Sequence, residues 1–519
     1  MPEMEKLNGD PRLHVGTLRY TMAGLLWVFV WLLWGDFCFT VMEFVNSQTV
    51  PLRLRELNAP DWVLPIILTT VPSIISFTLN PVISTISDRH RGPRGRRIPF
   101  LLFSAPFISA TLVLMAFSPE ISVWLHRWVG PLGGWGLVGV SIFTVGLLMA
   151  SFKVFDTFVN TTFWYLFNDV VPQAFMARFM GMMRVVSSLA AMLFSFFFYE
   201  HALTHMRWIY LGAATIYCVG FTMMCLFVKE GEYPPPLPLS AHVHGVWKRI
   251  VAAIREYVRQ CLSHRLYIYY FLMGMFIVVA NAIALFGVFL NLSLGITLKQ
   301  LAMINTGIQF VMLTLNYPAG ALADRFHPIR IMLCMMGCLL IVVPLNFVWM
   351  FGSFPADRVF HISLLGYATD LPANLTILVS LMALDLPITL LLGAVGMPLM
   401  MRLLPREEFG QFCSFNALVS ATMNILASLS VAWFMTGMRT LLPDAVWGKD
   451  FCYRMIPAWR LPFLVLSTLF LCLLFREWKR QGGEKNYSPP GFPEGDPVEP
   501  QPAPTSSSGT EIGTKSHPG

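Results

Sequence analysis

The chain has 519 residues, of which 55% are hydrophobic and only 13% are charged, and its mean hydropathy is +0.61. A water-soluble domain of this length does not normally carry that composition, so the sequence indicates a polytopic membrane protein. The formal net charge of +7 is explained by basic loops on one membrane face. No interleaving of aromatic and basic residues indicates nucleic-acid binding.

Apolar runs recur along the whole chain, each long enough to cross a hydrocarbon core of roughly 30 Å as a helix. About twelve spans are predicted, so the fold class is all-α. Their approximate bounds are 20–46, 61–87, 98–118, 135–163, 179–200, 207–228, 266–292, 300–322, 328–351, 374–401, 408–437 and 459–478. Twelve spans put both termini on one side, and that side carries about 25 Lys and Arg residues against about 10 on the other. The termini are therefore predicted to be cytoplasmic.

Composition divides the chain into five segments. Prolines 234–236 break any helix after the sixth span, and basic residues at helical spacing follow them. A Pro-, Ser- and Gly-rich tail ends the chain and is predicted to be disordered. The segments are a cytoplasmic N-terminal segment (1–19), a first six-helix bundle (20–228), a cytoplasmic linker with an amphipathic helix (229–265), a second bundle (266–478) and the tail (479–519).

Two short motifs recur in both halves at nearly one offset. Asp88-Arg89 ends the second predicted span and Asp324-Arg325 ends the eighth, about 236 residues later. Pro172 precedes the fifth span and Pro405 precedes the eleventh, about 233 residues later. Two independent motifs at one offset indicate a duplicated six-helix unit.

These motifs resemble those of the major facilitator superfamily. GALADRFHPIR (320–330) is similar to the loop that follows the second helix of each half in that superfamily. The first-half copy, SDRHRGPRGRRIPF (87–100), resembles the glycoside-pentoside-hexuronide:cation symporters and the related sucrose-transporter-like branch. The set Asp169, Pro172, Arg178 and Gly181 fits the same group, whereas Ser84 stands where the first-half motif usually has glycine.

The resemblance implies two six-helix bundles that alternate access to one central site. It also implies a cytoplasmic gate, in which Asp88 pairs with a helix end or with arginines across the loop until the bundles rock. The second-half motif is expected to act in the same way. The predicted gate residues are Asp88, Arg89, Arg96, Arg97, Arg178, Asp324 and Arg325.

The first span carries two acids on one face. At about 100° per residue, Asp36, Thr40 and Glu43 fall within a sector of roughly 60°. A carboxylate at the bilayer centre costs roughly 2.5 to 3.5 kcal/mol on insertion scales. This face is therefore expected to point to protein or to a water-filled cavity.

The fourth span repeats the pattern with Lys153, Asp156, Asn160 and Trp164. Lys153 and Asp156 are three residues apart on one helix face, so one interpretation is an internal ion pair that neutralises both. The other is that Lys153 pairs with several acids in turn during transport. Trp164 is a candidate for stacking on a sugar ring or for the interfacial belt. Further polar candidates for one shared aqueous pathway are Asn305, Gln309, Asp385, Asn416 and Asn424. The alternative for each amide is a hydrogen bond to a neighbouring helix.

These features predict a secondary transporter for a sugar or glycoside, driven by a cation. The second span has no acid in its middle where the resembled symporters do, so sodium coupling is disfavoured and a proton is favoured. No histidine lies within a span, so a carboxylate would carry that proton. The alternatives are an exporter or a carrier of another small polar or amphipathic solute, and a non-transporting receptor or scaffold. No enzyme activity, cofactor or metal is expected, since the nine cysteines are scattered singly. The expected form is a monomer in the plasma (inner) membrane.

Overall fold

The computed structural model describes residues 13–15, 17–233, 259, 261–352, 354, 358–364, 367–405 and 409–490. Twelve long helices, called spans 1 to 12, make up most of this part of the chain. The spans are Met22–Glu56, Val63–Arg89, Ile98–Ala116, Leu137–Val170, Gln173–Phe197, Met206–Phe227, Arg265–Ser293, Leu298–Arg325, Pro328–Phe351, Ala373–Leu403, Phe409–Leu441 and Ile456–Arg480. Within the described residues, eleven of these helices are long and apolar enough to cross a membrane. The exception is span 8, which carries several amide side chains. The predicted all-helical polytopic architecture is confirmed.

Local sequence signals define where several spans begin. Thr21 accepts a hydrogen bond from the Gly24 amide at 3.1 Å and caps span 1. Thr297 and Gln300 form a capping box at the start of span 8, in which each side chain accepts from the other residue's amide. His327 caps span 9, which then begins with a proline. Each cap satisfies helix amides that have no intrahelical acceptor.

Four spans depart from regular α-helix in their interior, one of which is span 9, interrupted by a turn at residues 346–347. Residues Ile66–Thr70 of span 2 and Tyr217–Phe221 of span 6 are π-helical. Residues Ala282–Phe286 of span 7 form a 3₁₀ segment. Irregular turns inside long helices often lie at functional positions, because they free backbone groups and move side chains out of register.

The spans pack as two six-helix halves. In the first half, span 4 contacts spans 2 and 3, and span 1 contacts span 5. In the second half, span 12 packs on spans 7 and 9, and span 10 packs on spans 8 and 9. The halves meet where span 5 lies against span 8 and where span 2 lies against span 11. The Thr70 and Ser428 hydroxyls are 2.7 Å apart at the second of these contacts.

Shorter elements lie outside the spans. A surface helix, Ser118–Gly133, joins spans 3 and 4, and strands β3 (Val359–Leu364) and β4 (Tyr367–Pro372) form a hairpin between spans 9 and 10. Strands β1 (His14–Val15) and β2 (Leu18–Arg19) precede span 1. The predicted amphipathic linker helix, most of the N-terminal segment and tail residues 491–519 lie outside the described residues.

The beginning of the tail packs on the second half. Tyr487 donates a hydrogen bond of 2.7 Å to the Leu403 carbonyl, and Tyr267 donates one of 3.0 Å to the Pro490 carbonyl. These contacts hold the segment after span 12 against the ends of spans 7 and 10. We call this side of the molecule the terminus side and the opposite side the far side.

Candidate functional site

A cavity of about 490 Å³, called here the central cavity, lies between the two halves. Its walls come from spans 1, 2 and 4 of the first half and from span 7 of the second half. Three ionisable side chains face it, Glu43, Lys153 and Asp156. Its other lining residues are Phe44, Asn46, Ser47, Gln48, Pro51, Leu68, Thr69, Pro72, Met149, Phe152, Ala284, Leu285 and Val288. The cavity therefore combines charged, amide, hydroxyl and aromatic groups in one place.

The two acids of span 1 occupy different environments. Glu43 lines the central cavity, and its side chain forms no hydrogen bond or ion pair with another described residue. Asp36 is not among the cavity residues. It is only 4% exposed, and it accepts a hydrogen bond of 2.8 Å from Ser187 Oγ of span 5. Although they share one helix face, Glu43 lines the cavity and Asp36 is held between spans 1 and 5.

The lysine of span 4 is paired. Lys153 Nζ lies 2.6 Å from Asp156 Oδ2, and Asp156 is fully buried. Asp156 Oδ1 has no hydrogen-bond partner among the described residues. Trp164 lies three turns along the same helix face as Lys153 and is 50% exposed. It is outside the central cavity, as are Thr40 and Asn160.

Spans 2 and 4 are joined by a ladder of polar contacts with one constant offset. Ser76 meets Thr157 at 3.4 Å, Thr161 donates to Asn80 at 2.7 Å, and Ser84 meets Tyr165 at 3.0 Å. The partners in each rung are 81 residues apart. A constant offset in three rungs, over about two helical turns, requires two parallel helices in fixed register. Ser84, which replaces the glycine of the resembled motif, supplies one of these rungs.

At the terminus side the ladder leads into an ionic cluster. Arg97 pairs with Asp88 and also lies 3.2 Å from Asp169, which is at the end of span 4. Arg96 pairs with Asp169 at 2.5 Å, and this hydrogen bond raises the pKa of the Arg96 guanidinium. The Arg97 guanidinium also lies 4.8 Å from the centre of the Tyr165 ring. The loop after span 2 is therefore fixed to the end of span 4.

A residue after span 6 completes this cluster. The Glu230 carboxylate accepts hydrogen bonds from the backbone amides of Arg96, Arg97 and Ile98 at 2.9, 2.8 and 2.6 Å. These amides open span 3, so Glu230 acts as its N-terminal cap. Tyr233 donates to Glu230 at 3.2 Å, and burial raises the pKa of the Tyr233 hydroxyl.

On the far side, a second ionic cluster joins the halves. Arg55, at the end of span 1, lies 2.6 Å from Asp450 of the second half. Asp61, between spans 1 and 2, lies 3.0 Å from Arg439 of span 11 and accepts a hydrogen bond of 2.6 Å from Tyr453. Arg439 also lies 3.4 Å from Asp450. Burial raises the pKa of Asp61, and the contacts with Tyr453 and Arg439 oppose that rise.

The remaining predicted residues are more dispersed. Asn305 and Gln309 of span 8, and Asn416 and Asn424 of span 11, are partly exposed and do not line the central cavity. Asp385 lines a separate cavity within the second half. Arg178 and Arg325 contact the rings of Phe175 and Phe326. Arg89 is partly exposed at the end of span 2, and the side chain of Asp324 lies outside what the structure describes.

Sequence reasoning missed several groups that the fold brings together. Glu230 follows span 6 in a polar stretch that looked like the start of a linker. Asp61, Arg439 and Asp450 lie in far-side loops or at span ends, where single charges are ordinary. A pairing across halves leaves no periodic signal in one sequence, although the clustering of opposite charges at far-side span ends was visible.

No protein-family model matches the chain, and no curated protein matches it in sequence. Its backbone is similar to that of a bacterial homologue of the human lysosomal transporter Spinster in an inward-facing, unoccupied conformation, with a TM-score of 0.61, 13% identity, and coverage of 89% of this chain and 98% of that chain. It is also similar to a D-xylose-proton symporter (TM-score 0.56, 14% identity, 86% and 97% coverage). A third similar structure is the nucleoside transporter NupG (TM-score 0.59, 9% identity, 86% and 100% coverage). The chain thus has the major facilitator fold, which these membrane transporters share.

Proposed function

We propose that this protein is a secondary active transporter that takes up a sugar or glycoside together with a cation, with a proton favoured over sodium. One observation carries the proposal. The central cavity between the halves brings an unpaired carboxylate, Glu43, together with the Lys153 and Asp156 ion pair and with neutral polar groups. In this proposal the terminus side is cytoplasmic, in keeping with its excess of basic residues.

The lining of the central cavity suits a saccharide. Each sugar hydroxyl that leaves water needs a protein partner, and Asn46, Ser47 and Gln48 provide donors and acceptors along one stretch of span 1. Phe44 and Phe152 provide apolar faces for the ring. These phenylalanines replace Trp164 as the candidates for stacking, because Trp164 lies outside the cavity. The xylose-proton symporter among the similar structures supports this substrate class.

The proposed proton coupling rests on Glu43, which lines the same cavity as the Lys153 and Asp156 ion pair and has no ion-pair partner of its own among the described residues. A charged carboxylate without a partner is costly inside a membrane, and a bound proton removes that charge. In our proposal, protonation of Glu43 permits substrate binding, and release of the proton on the other side lets Glu43 compete with Asp156 for Lys153. Asp36 stays with Ser187 and does not contact the substrate.

The two ionic clusters fit alternating access. The far-side cluster joins the halves, whereas every ion pair on the terminus side, within the described residues, joins groups of the same half. We propose that this conformation is closed on the far side, and that the Asp88 and Arg97 cluster rearranges when the terminus side closes. An inward-facing conformation is also that of the similar Spinster homologue.

The test is uptake of labelled sugars into proteoliposomes that contain the purified full-length protein. A proton gradient and a sodium gradient are imposed separately, and an uncoupler serves as the control. The expected result is accumulation of at least one saccharide under the proton gradient. If every saccharide fails while a nucleoside or a peptide accumulates, the substrate class is wrong. A carrier cannot accumulate sugar when no gradient drives it. If sugar only equilibrates across the membrane, and its uptake is the same with and without the proton and sodium gradients, coupling to a cation is wrong.

A further inference from the structure

The second half encloses a cavity of its own, called here the second-half cavity, with a volume of about 330 Å³. Spans 7, 9, 10 and 12 form its walls. Span 7 separates it from the central cavity, and Ala284 in the 3₁₀ segment borders both. The volume lies at the lower end of the range for small-molecule sites, so a ligand there must be small.

Two opposite charges line the second-half cavity without meeting. Asp385 extends from span 10 and Arg460 from span 12. Asp385 Oδ1 and Arg460 Nε are buried, and neither has a hydrogen-bond partner among the described residues. No ion pair joins the two side chains in the described part of the chain. In the two ionic clusters, by contrast, each ion pair named brings opposite charges within 4 Å of each other.

Buried charges without partners are unfavourable, and within a membrane bundle they usually mark a binding site. A lone cation would satisfy Asp385 but repel Arg460, and a lone anion would do the reverse. A ligand that carries both charges satisfies both residues. We propose that the second-half cavity binds a zwitterionic α-amino acid with an aliphatic side chain, with its ammonium group on Asp385 and its carboxylate on Arg460.

The rest of the lining favours this ligand over a sugar. The amides of Asn281, Asn291 and Asn346 are the other polar side chains of the cavity, and Asn346 already donates to the Val342 carbonyl at 3.3 Å. The remaining described lining consists of glycine and aliphatic residues such as Leu378 and Met382, with no aromatic ring to cover a sugar face. An aliphatic side chain would remove this apolar surface from water.

The site is independent of the proposed sugar transport. Its charged residues come from spans 10 and 12, whereas the ionisable residues of the central cavity come from spans 1 and 4. Amino-acid binding can therefore be present in a protein that transports no sugar, and the two proposals succeed or fail separately.

The experiment is equilibrium binding of radiolabelled leucine to the purified full-length protein in nanodiscs. We expect saturable binding that is weakened about tenfold or more by Asp385→Asn and by Arg460→Gln, since each variant removes one charge-assisted contact. The matched control is Arg476→Gln, which removes an exposed arginine from the same span 12 and is expected to leave binding unchanged. Because a single charge left in the cavity is costly, the neutral double variant D385N/R460Q is measured too, and size-exclusion chromatography checks that it is folded.

Competition with leucine analogues tests the zwitterion requirement. Leucinamide, which lacks the carboxylate, and isoamylamine, which lacks the whole carboxyl group, are expected to compete at least tenfold more weakly than unlabelled leucine. 4-Methylvalerate, which lacks the ammonium group, is expected to do the same. The proposal is overturned if the wild-type protein binds no leucine saturably, if the folded double variant binds as the wild type does, or if an analogue with a single charge competes as well as leucine.

Discussion

Arg439 Nε and Asp61 Oδ2 lie 3.0 Å apart although the two residues belong to different halves of the molecule. Arg439 is 39% exposed, so solvent screens the pair and its contribution to closing the far side is about 1 kcal/mol. We therefore expect Arg439→Gln to shift the population toward the form that is open on the far side by about fivefold.

The measurement for Arg439→Gln is the rate at which a maleimide added on the far side labels a cysteine introduced by Gln48→Cys in the central cavity. Labelling is expected to be about fivefold faster in the variant. The control is Arg207→Gln, because Arg207 pairs with Glu120 on the far side without joining the halves. Equal labelling rates in both variants would show that the far-side cluster does not hold the halves together.

The raised pKa of Asp61 makes far-side closure depend on pH. In the closed form Asp61 faces Arg439, Tyr453, Asp450 and Asp444, and burial raises its pKa despite the arginine and the tyrosine. In an open, hydrated form the carboxyl has an ordinary pKa of about 3.9. The closed form therefore binds the proton more tightly, so closure is strongest below the ordinary pKa and weakens as the pH rises through the raised one.

The measurement of this pH dependence is labelling of the same introduced cysteine at several pH values, corrected for the intrinsic reactivity of the thiol. Accessibility is expected to increase with pH in the parent protein. It is expected to be flat in the Asp61→Asn variant, which keeps the acceptor for Tyr453 but cannot titrate. A slope that persists in Asp61→Asn would assign the dependence to another group.

Glu43 is the carboxylate on which we expect proton-driven uptake to depend. Glu43→Gln mimics the protonated side chain permanently, so accumulation under a proton gradient is expected to fall by about tenfold or more, while exchange of labelled for unlabelled sugar continues. The matched control is Glu56→Gln, at the far-side end of the same span, where the carboxylate is 50% exposed and paired with Arg53. If Glu43→Gln accumulates sugar like the control, Glu43 is not the coupling acid.

Gly95 is expected to tolerate no side chain. Its φ of +100° favours glycine, and a Cβ there would lie 2.5 Å from the Glu230 side chain, which caps span 3. Gly95→Ala should lower the unfolding free energy by about 1 to 3 kcal/mol, measured by thermal unfolding in detergent. Gly134→Ala is the control, because it also has a positive φ (+64°) but has open space around it. Equal destabilisation by both variants would show that strain, and not the loss of the Glu230 contact, is responsible.

The polar ladder between spans 2 and 4 is expected to contribute modestly at each rung. Hydrogen bonds between membrane helices average about 0.6 kcal/mol in measured cycles, so Ser84→Ala should have a small effect on thermal unfolding. The double variant Ser84→Ala with Tyr165→Phe should cost no more than the larger single change, because both remove one contact. Additive losses would mean that the two hydroxyls do not act as a pair.

The spans and their polar faces were predictable because hydropathy and helical period are local properties. Every predicted span overlaps a helix of the structure, and Glu43, Lys153 and Asp156 do share one cavity. The helical period of span 1, however, predicted that Asp36 and Glu43 share one environment. Only the position of span 5, which brings Ser187 to Asp36, separates them. Which neighbour covers a helix face is a tertiary property that a single helical pattern does not encode.

The contacts between the two halves could not be predicted from the sequence for a related reason. The pairing of Arg55 with Asp450 spans 395 residues, and no motif connects the two positions. The terminus-side cluster was partly predictable because Asp88 and Arg97 lie in one short loop. Its other members, Asp169 and Glu230, come from the ends of spans 4 and 6 and join the loop only when those helices pack.

The 3₁₀ segment Ala282–Phe286 allows span 7 to change its length. A 3₁₀ turn rises about 2.0 Å per residue against about 1.5 Å in an α-helix, so rewinding five residues would shorten the helix by about 2.5 Å. This shortening along the helix axis would move the Phe289 carbonyl away from the Arg55 guanidinium, which lies 3.5 Å from it. A change in either cavity that alters the winding at Ala284 would thereby reach the seal on the far side without any movement of a whole bundle.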